Sequence, residues 1–153
     1  MGNPTHEQGK LQLEFFEMRR EPRLRQAREW FQKNYSAESF EESMKIAAFG
    51  TEAGTNLMMV ATYWEQACSY LHHGLLNEEL FFENNGEFFM VWDGIKGMVP
   101  GFREMFAAPH FMRHMENTAA KYEAWMEKRA PGHVARMREF RKQMKAQMQK
   151  PAA

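Results

Sequence analysis

The chain has 153 residues, of which 44% are hydrophobic and 26% are charged. This length fits one ordinary domain with a substantial core, and the composition excludes a disordered, collagen-like or low-complexity chain. Twenty basic residues balance twenty acidic ones. No overall field therefore draws the protein toward nucleic acid or anionic lipid, and no net charge keeps copies of the chain apart.

The cysteine content and the N-terminus indicate the class of protein. Cys68 is the single cysteine, which excludes an internal disulfide. The first residues lack the basic segment and apolar run of a signal peptide. The longest apolar stretch, 57–64, is much shorter than the roughly 20 residues of a membrane span. We therefore expect a cytoplasmic protein without a transmembrane segment.

Capping signals predict three helices in the first third of the chain. Thr5 and Gln8 form a capping-box pattern at the start of the first helix. Pro22 suits the first turn of the second helix, and Ser39 with Glu42 forms a second capping box. The predicted bounds are about 5–20, 22–34 and 39–50.

The fourth predicted helix is the most apolar one. Thr51 can cap it, Gly74 can end it in the left-handed conformation, and it spans about 52–73. Because its apolar residues cover a broad arc, we expect a central packing element with Cys68 in the core as an unreactive thiol. The main apolar stripe consists of Leu57, Ala61, Trp64, Cys68 and Leu71.

The second half of the chain is also predicted to be helical. Gly97 and Pro100 interrupt the pattern and predict only a short turn up to about Phe106. Pro109 starts another helix, and Pro131 with the following glycine separates it from the last one. The predicted helices span about 78–83, 87–96, 109–128 and 133–149.

These elements predict an all-α, single-domain helical bundle of about seven helices. Fourteen methionines and thirteen phenylalanines indicate a Met/Phe/Trp-rich core or, alternatively, an adaptable groove for apolar ligands or partner helices. We expect a helical core domain over 1–130 and a basic amphipathic C-terminal helix over 131–149, packed on the core or extending from it. A frayed tail is expected over 150–153.

Charge is distributed unevenly along the chain. Residues 36–93 contain ten acids and one base, whereas residues 129–150 contain seven bases and one acid. A second basic segment, 19–33, has six bases and two acids. This distribution favours basic helices packed against an acidic middle, within the fold or in a dimer.

The last helix is both basic and amphipathic. That combination suits a protein partner, a membrane surface or nucleic acid, and it equally suits an acidic neighbour within the fold. If the helix mediates association, deleting the chain after Ala130 should abolish it. The candidate interaction residues are Arg136, Arg138, Arg141, Lys142 and Lys145.

No catalytic constellation is present in the sequence. The zinc-protease, haem-attachment, nucleophile-elbow and phosphate-loop motifs are all absent, so we predict no catalytic residues and no cofactor. His110 and His114 share one helix face and are weak candidates for a metal site. Because a third ligand is missing and the positively charged Lys121 lies on the same side of the helix, we predict no metal there.

Several aromatic and glycine positions carry a family resemblance. Their spacing along the sequence resembles that of a family of short bacterial helical proteins of unknown function, over roughly residues 56–125. The resemblance implies an all-helical fold and brings no assigned activity. The positions are Tyr63-Trp64-Glu65, the segment 74–80, Trp92, Arg103 and the helix that begins at Phe111.

Two of these residues suggest a structural role. Glu65 lies at the border of the buried face, and Arg103 lies among aromatic residues. We predict that they pair, or that each caps a buried polar group, and so act as a structural lock.

The function that the sequence favours is that of a non-enzymatic helical protein acting by self-association or by binding a protein partner. The alternative is a small apolar ligand- or cofactor-binding protein or enzyme, with a pocket between helices lined by Trp64, Trp92 and Trp125. Nucleic-acid binding through the basic helices is a weaker alternative.

Overall fold

Nine helices follow one another along the part of the chain that the structure describes. The structure is a computed structural model, and it describes residues 2–148, among which there is no strand. The all-α prediction is therefore confirmed for these residues. In chain order the helices are α1 (His6–Arg19), α2 (Pro22–Asn34), α3 (Phe40–Ile46), α4 (Glu52–His72), α5 (Glu78–Asn84), α6 (Glu87–Ile95), α7 (Val99–Met105), α8 (Arg113–Arg129) and α9 (His133–Met148).

The count of nine over residues 2–148 corrects the prediction of about seven helices. Each of the eight segments predicted one by one contains a helix, and the ninth helix is α7, in a segment where Gly97 and Pro100 predict only a turn. Pro100 is the second residue of α7. A proline there removes no intrahelical hydrogen bond, because the N–H groups of the first helical turn have no partner within the helix.

The start of α8 also differs from the prediction. The sequence places it at Pro109, whereas α8 begins at Arg113. The intervening residues form turns, and Met112 has a φ of 54°. A positive φ is incompatible with a right-handed helix, so the helix cannot start before that residue.

The chain consists of two compact units rather than the single predicted bundle. Their boundary falls between Ala119 and Ala120, inside α8. The predicted division into a core over 1–130 and a C-terminal helix over 131–149 stays a prediction. The predicted frayed tail, 150–153, lies outside the described residues.

The first unit is built around α4. Thr51 caps this helix by accepting a hydrogen bond from the Gly54 N–H at 3.0 Å, and α2 and α6 pack on it. Cys68 is completely buried, and burial raises the pKa of its thiol, which therefore stays protonated at neutral pH. The largest fully buried side chains include Trp64, Phe81, Phe88, Ile95, Met98 and Met115.

The contact between α3 and α7 depends on a glycine. A Cβ atom at Gly101 would lie only 2.5 Å from the Cβ of Phe40. No other residue would therefore let α7 approach α3 so closely. This approach brings Phe40 against Phe102, with 6.1 Å between the ring centroids.

The second unit contains the C-terminal part of α8 and helix α9. Gly132, with a φ of 81°, forms the turn between the two helices, and its N–H donates to the Glu127 carboxylate at 3.1 Å. Across the turn, Arg138 donates two hydrogen bonds to the Glu123 carboxylate, at 2.7 and 3.0 Å. A bidentate pair of this kind fixes the two side chains in both distance and orientation.

Candidate functional site

Four phenylalanine rings from three segments, α3, the loop after it and α7 with its C-cap, form one cluster on the first unit. We call Phe40, Phe49, Phe102 and Phe106 the aromatic patch. Every pair of these rings is in contact, with centroid separations between 4.7 and 6.4 Å. Since each favourable ring pair contributes about 0.5–1.5 kcal/mol in addition to area burial, the rings hold one another in place.

Much of this patch is open to solvent. Phe49 is 48% exposed and Phe106 is 50% exposed, and Met105, which precedes Phe106, is 65% exposed. Single exposed apolar residues are ordinary on protein surfaces, whereas the largest contiguous apolar patch of a protein, typically about 300–600 Å², is often functional. The aromatic patch with Met105 is therefore the first candidate binding surface.

The patch is built on a fixed base. The Phe102 ring stacks on Phe111 with 3.7 Å between centroids. The Ala108 N–H donates to the Arg103 carbonyl at 2.9 Å, and Ala107 between them has a φ of 48°. This is the pattern of a Schellman motif, and it fixes the path of the chain directly after the patch.

An open groove adjoins the patch along α4. Its volume is about 330 Å³, within the range of roughly 300–1,000 Å³ that is usual for ligand sites. Two half-buried methionines line it, and flexible thioether side chains adapt readily to different partners. We call this feature the α4 groove, and its main lining residues are Phe49, Thr55, Met58, Met59 and Thr62.

Glu65 and the start of α8 form a second feature of the same unit. The Glu65 carboxylate accepts hydrogen bonds from the backbone N–H groups of His114, at 3.0 Å, and Met115, at 2.7 Å. These N–H groups lie in the first turn of α8, where backbone donors have no partner within the helix. Burial raises the pKa of Glu65, and the two backbone donors lower it by a smaller amount.

Arg103 holds the residues on either side of that first turn. Its Nε donates to the Phe111 carbonyl at 2.9 Å, and its Nη2 donates to the Glu116 carboxylate at 2.8 Å. Arg103 and Glu65 thus bind the same short segment at different atoms. Their role as a structural lock stays a prediction.

Three histidines meet next to this segment. The His114 ring lies 4.9 Å from that of His72 and 6.0 Å from that of His73, whereas His110 is exposed. Sequence reasoning missed this group, because spacing along one helix carries no information on contacts between α4 and α8. Among residues 2–148, no three His, Cys, Asp or Glu side chains are placed to hold a metal ion.

The predicted interaction residues of α9 divide into two sets. Arg138, Arg141 and Lys145 are half-buried, and Arg138 binds Glu123 within the second unit. Arg136 and Lys142 are exposed. The exposed surface of α9 also carries two large apolar side chains, Phe140 at 55% and Met144 at 42% exposure.

The predicted pocket tryptophans have different surroundings. Trp64 is 1% exposed, with its ring 4.9 Å from that of Tyr63 and the Arg19 guanidinium 5.1 Å from its centroid. Trp92 and Trp125 are half-buried. The α4 groove is not lined by any tryptophan, and a tryptophan-lined pocket stays a prediction.

Among residues 2–148, no helix combines the length and the apolar character that crossing a bilayer requires.

Comparison with known proteins places the chain in a family without an assigned activity. No curated protein and no solved structure matches it. The model of one family, described as "Domain of unknown function (DUF4760)", matches residues 4–122. The predicted membership of a family of unknown function is thereby confirmed, and the match extends further toward the N-terminus than the predicted resemblance. The chain belongs to the DUF4760 family.

Proposed function

We propose that this protein is a non-enzymatic helical protein that acts by self-association, and that the aromatic patch is the centre of the contact. One observation carries the proposal: two half-exposed phenylalanines belong to a cluster of mutually contacting rings, next to a methionine that is 65% exposed. Burying such rings against a second protein surface removes apolar area from water.

In this proposal, a second copy of the chain covers the aromatic patch. The chain has no net charge, so copies do not repel one another as a whole. The exposed parts of Phe49, Met105 and Phe106 amount to roughly 300 Å² of apolar surface. Because a standard interface needs about 800 Å² from each partner, the patch supplies the apolar centre and neighbouring residues supply the rim.

The test replaces both exposed rings by serine, in the double variant Phe49→Ser/Phe106→Ser. Sedimentation velocity over a wide concentration range measures the mass. We expect the wild type to move from 18.1 kDa toward twice that mass as the concentration rises, and the double variant to remain at 18.1 kDa. Since both rings are half-exposed, the variant should keep its helical circular dichroism.

A matched control removes an exposed apolar side chain elsewhere. Leu13 on α1 is 64% exposed, and Leu13→Ser should associate like the wild type. A wild type that stays monomeric at every concentration contradicts the proposal, and so does a double variant that associates as well as the wild type.

The alternative function, binding of a small apolar ligand, is supported by the volume of the α4 groove, about 330 Å³. Native mass spectrometry of gently purified protein separates the two candidates. A multiple of 18.1 kDa without extra mass supports self-association. A monomer that carries a bound small molecule supports ligand binding, and the added mass begins to identify the ligand.

A further inference from the structure

We infer that the segment which occupies the α4 groove is helix α9 of a second copy of the chain. The contact joins the apolar outer side of α9, with Phe140 and Met144, to the groove beside the aromatic patch. This inference rests on the proposed self-association and names the two surfaces that meet.

The outer side of α9 has the form of a docking helix. Phe140 and Met144 are four residues apart, so their side chains lie next to each other on one side of the helix. Both are exposed, at 55% and 42%. The other side of the same helix is occupied, because Val134 is buried and Arg138 binds Glu123. Within its own unit, α9 therefore turns two large apolar side chains to solvent.

The α4 groove has the form of a receptor for such a helix. Amphipathic helices bind apolar grooves through anchor side chains spaced three or four residues apart. Met58 and Met59 line the groove together with Phe49, and methionine side chains adapt their shape to an inserted ring. The exposed Thr55 and Thr62 stand along the same side of α4 and can border an inserted helix.

Charge complementarity favours a second copy as the source of the helix. The exposed Glu52 lies on the groove side of α4, three residues before Thr55 and seven before Met59. Helix α9 contains five bases and one acid, and the exposed Arg136 lies four residues before Phe140, on the same side of the helix. Both halves of the contact are thus present in one chain of zero net charge, and opposite local charges bring the matching surfaces of two copies together.

The experiment is a complementation between two variants of the full chain. The groove variant is Phe49→Ser/Phe106→Ser, in which Phe49 lines the groove and Phe106 is the neighbouring ring of the aromatic patch. The helix variant is Phe140→Ser/Met144→Ser. All four positions are exposed, and circular dichroism is used to check that each variant is helical. Each variant is measured alone and in an equimolar mixture by native mass spectrometry, with one of them labelled with ¹⁵N.

The expected result is loss of self-association in both variants and its recovery in the mixture. Alone, each variant lacks one of the two surfaces that must meet, so it remains monomeric. In the mixture, the intact α9 of the groove variant meets the intact groove of the helix variant, and a mixed dimer with one labelled and one unlabelled chain appears. Leu13→Ser serves again as the control that associates alone.

Other outcomes overturn the inference in distinguishable ways. If the helix variant associates alone while the groove variant does not, two aromatic patches face each other; self-association then stands and the role of α9 is wrong. If both variants associate like the wild type, or the wild type is monomeric, the proposed function fails as well. A mixture of two monomeric variants without mixed dimer also overturns the inference.

A second measurement locates the contact independently of affinity. A photo-crosslinking benzoyl-phenylalanine in place of Phe140 should form crosslinks to peptides that contain Met58 and Met59. In a mixture of labelled and unlabelled chains, these crosslinks should join the two isotopes. Crosslinks confined to a single isotope, or to other peptides, contradict the inference.

Discussion

Glu65 is a carboxylate whose charge is opposed by burial and supported by two backbone N–H groups. Burial has the larger effect, so the pKa of Glu65 in the folded protein lies above its ordinary value of 4.5. The folded chain therefore binds more protons at this position than the unfolded chain, in the pH range just above 4.5. Through this group, the free energy of unfolding falls as the pH rises through that range.

The raised pKa of Glu65 leads to a testable dependence of stability on pH. We expect the variant Glu65→Gln, which has no charge to bury, to gain stability relative to the wild type as the pH rises from 4.5. Urea unfolding of both proteins at several pH values measures the difference. Glu14→Gln, at an exposed carboxylate, is the control. A difference that is constant with pH, or that falls, contradicts the assignment.

At the scale of elements, two helices end in the same motif with different residues. Helix α4 ends with Gly74 at a φ of 74°, and α7 ends with Ala107 at a φ of 48°. In both, the next residue donates its N–H to a carbonyl five positions back, from Leu75 to Tyr70 and from Ala108 to Arg103. Glycine adopts a positive φ without steric cost, whereas alanine does not.

Exchanging these residues should have opposite effects on stability. Gly74→Ala has open space for its new methyl group, so only the backbone strain remains, and we expect a loss of about 1 kcal/mol. Ala107→Gly should gain up to about 1 kcal/mol, because it removes the same strain. Thermal and urea unfolding measure both changes. Shifts of the same sign in the two variants would disprove this explanation.

The lock at the start of α8 is tested by removing Arg103. Arg103→Ala leaves the Phe111 carbonyl and the Glu116 carboxylate without their donors. We expect the free energy of unfolding to fall by about 1–3 kcal/mol, because both bonds come from a partly buried guanidinium. Arg113→Ala, which removes an exposed arginine from the same segment, is the control and should change stability little. An unchanged melting temperature in Arg103→Ala disproves the lock.

The ends of most helices could be predicted from local chemistry. Thr5 with Gln8, Pro22 and Thr51 mark helix starts by side-chain capping or by proline at the first turn, and the structure places helices at these positions. Helix α7 could not be predicted, because the same proline signal marks either a break or a first turn. Which of the two occurs depends on the packing of α7 against α3.

Much of the candidate site depends on contacts between distant segments. The aromatic patch joins rings from α3, the following loop and α7, and no periodicity along one helix reveals such a cluster. For α9, the sequence leaves open whether the basic helix packs on the core or extends from it. The structure pairs Arg138 with Glu123 and exposes Phe140, and spacing along α9 does not show which of its side chains meet residues of α8.

For the whole molecule, charge is balanced overall and divided locally. The acidic residues 36–93 and the basic residues 129–150 lie at separate places in the sequence. Two copies with this distribution attract one another wherever the acidic surface of one faces the basic helix of the other, although neither has a net charge.

The proposed contact should therefore depend on salt. We expect the dissociation constant of the dimer to rise several-fold between about 50 mM and about 500 mM sodium chloride. The reason is that the distance over which exposed charges attract one another becomes shorter as the salt concentration rises. Sedimentation velocity at several salt concentrations measures this. The double variant Arg136→Gln/Lys142→Gln should show a weaker dependence. Association that is unchanged or stronger at high salt contradicts the electrostatic part of the contact.

The methionines of the candidate surface have a chemical consequence. Met105 is 65% exposed, whereas Met98 and Met115 are almost completely buried. Oxidants convert accessible methionine to its sulfoxide, which is polar, and dedicated reductases reverse the change. Mild peroxide would therefore modify Met105 well before the core methionines. The proposed binding surface therefore carries the most exposed of the methionines in residues 2–147, so an oxidising environment would make it more polar and a reductase could restore it.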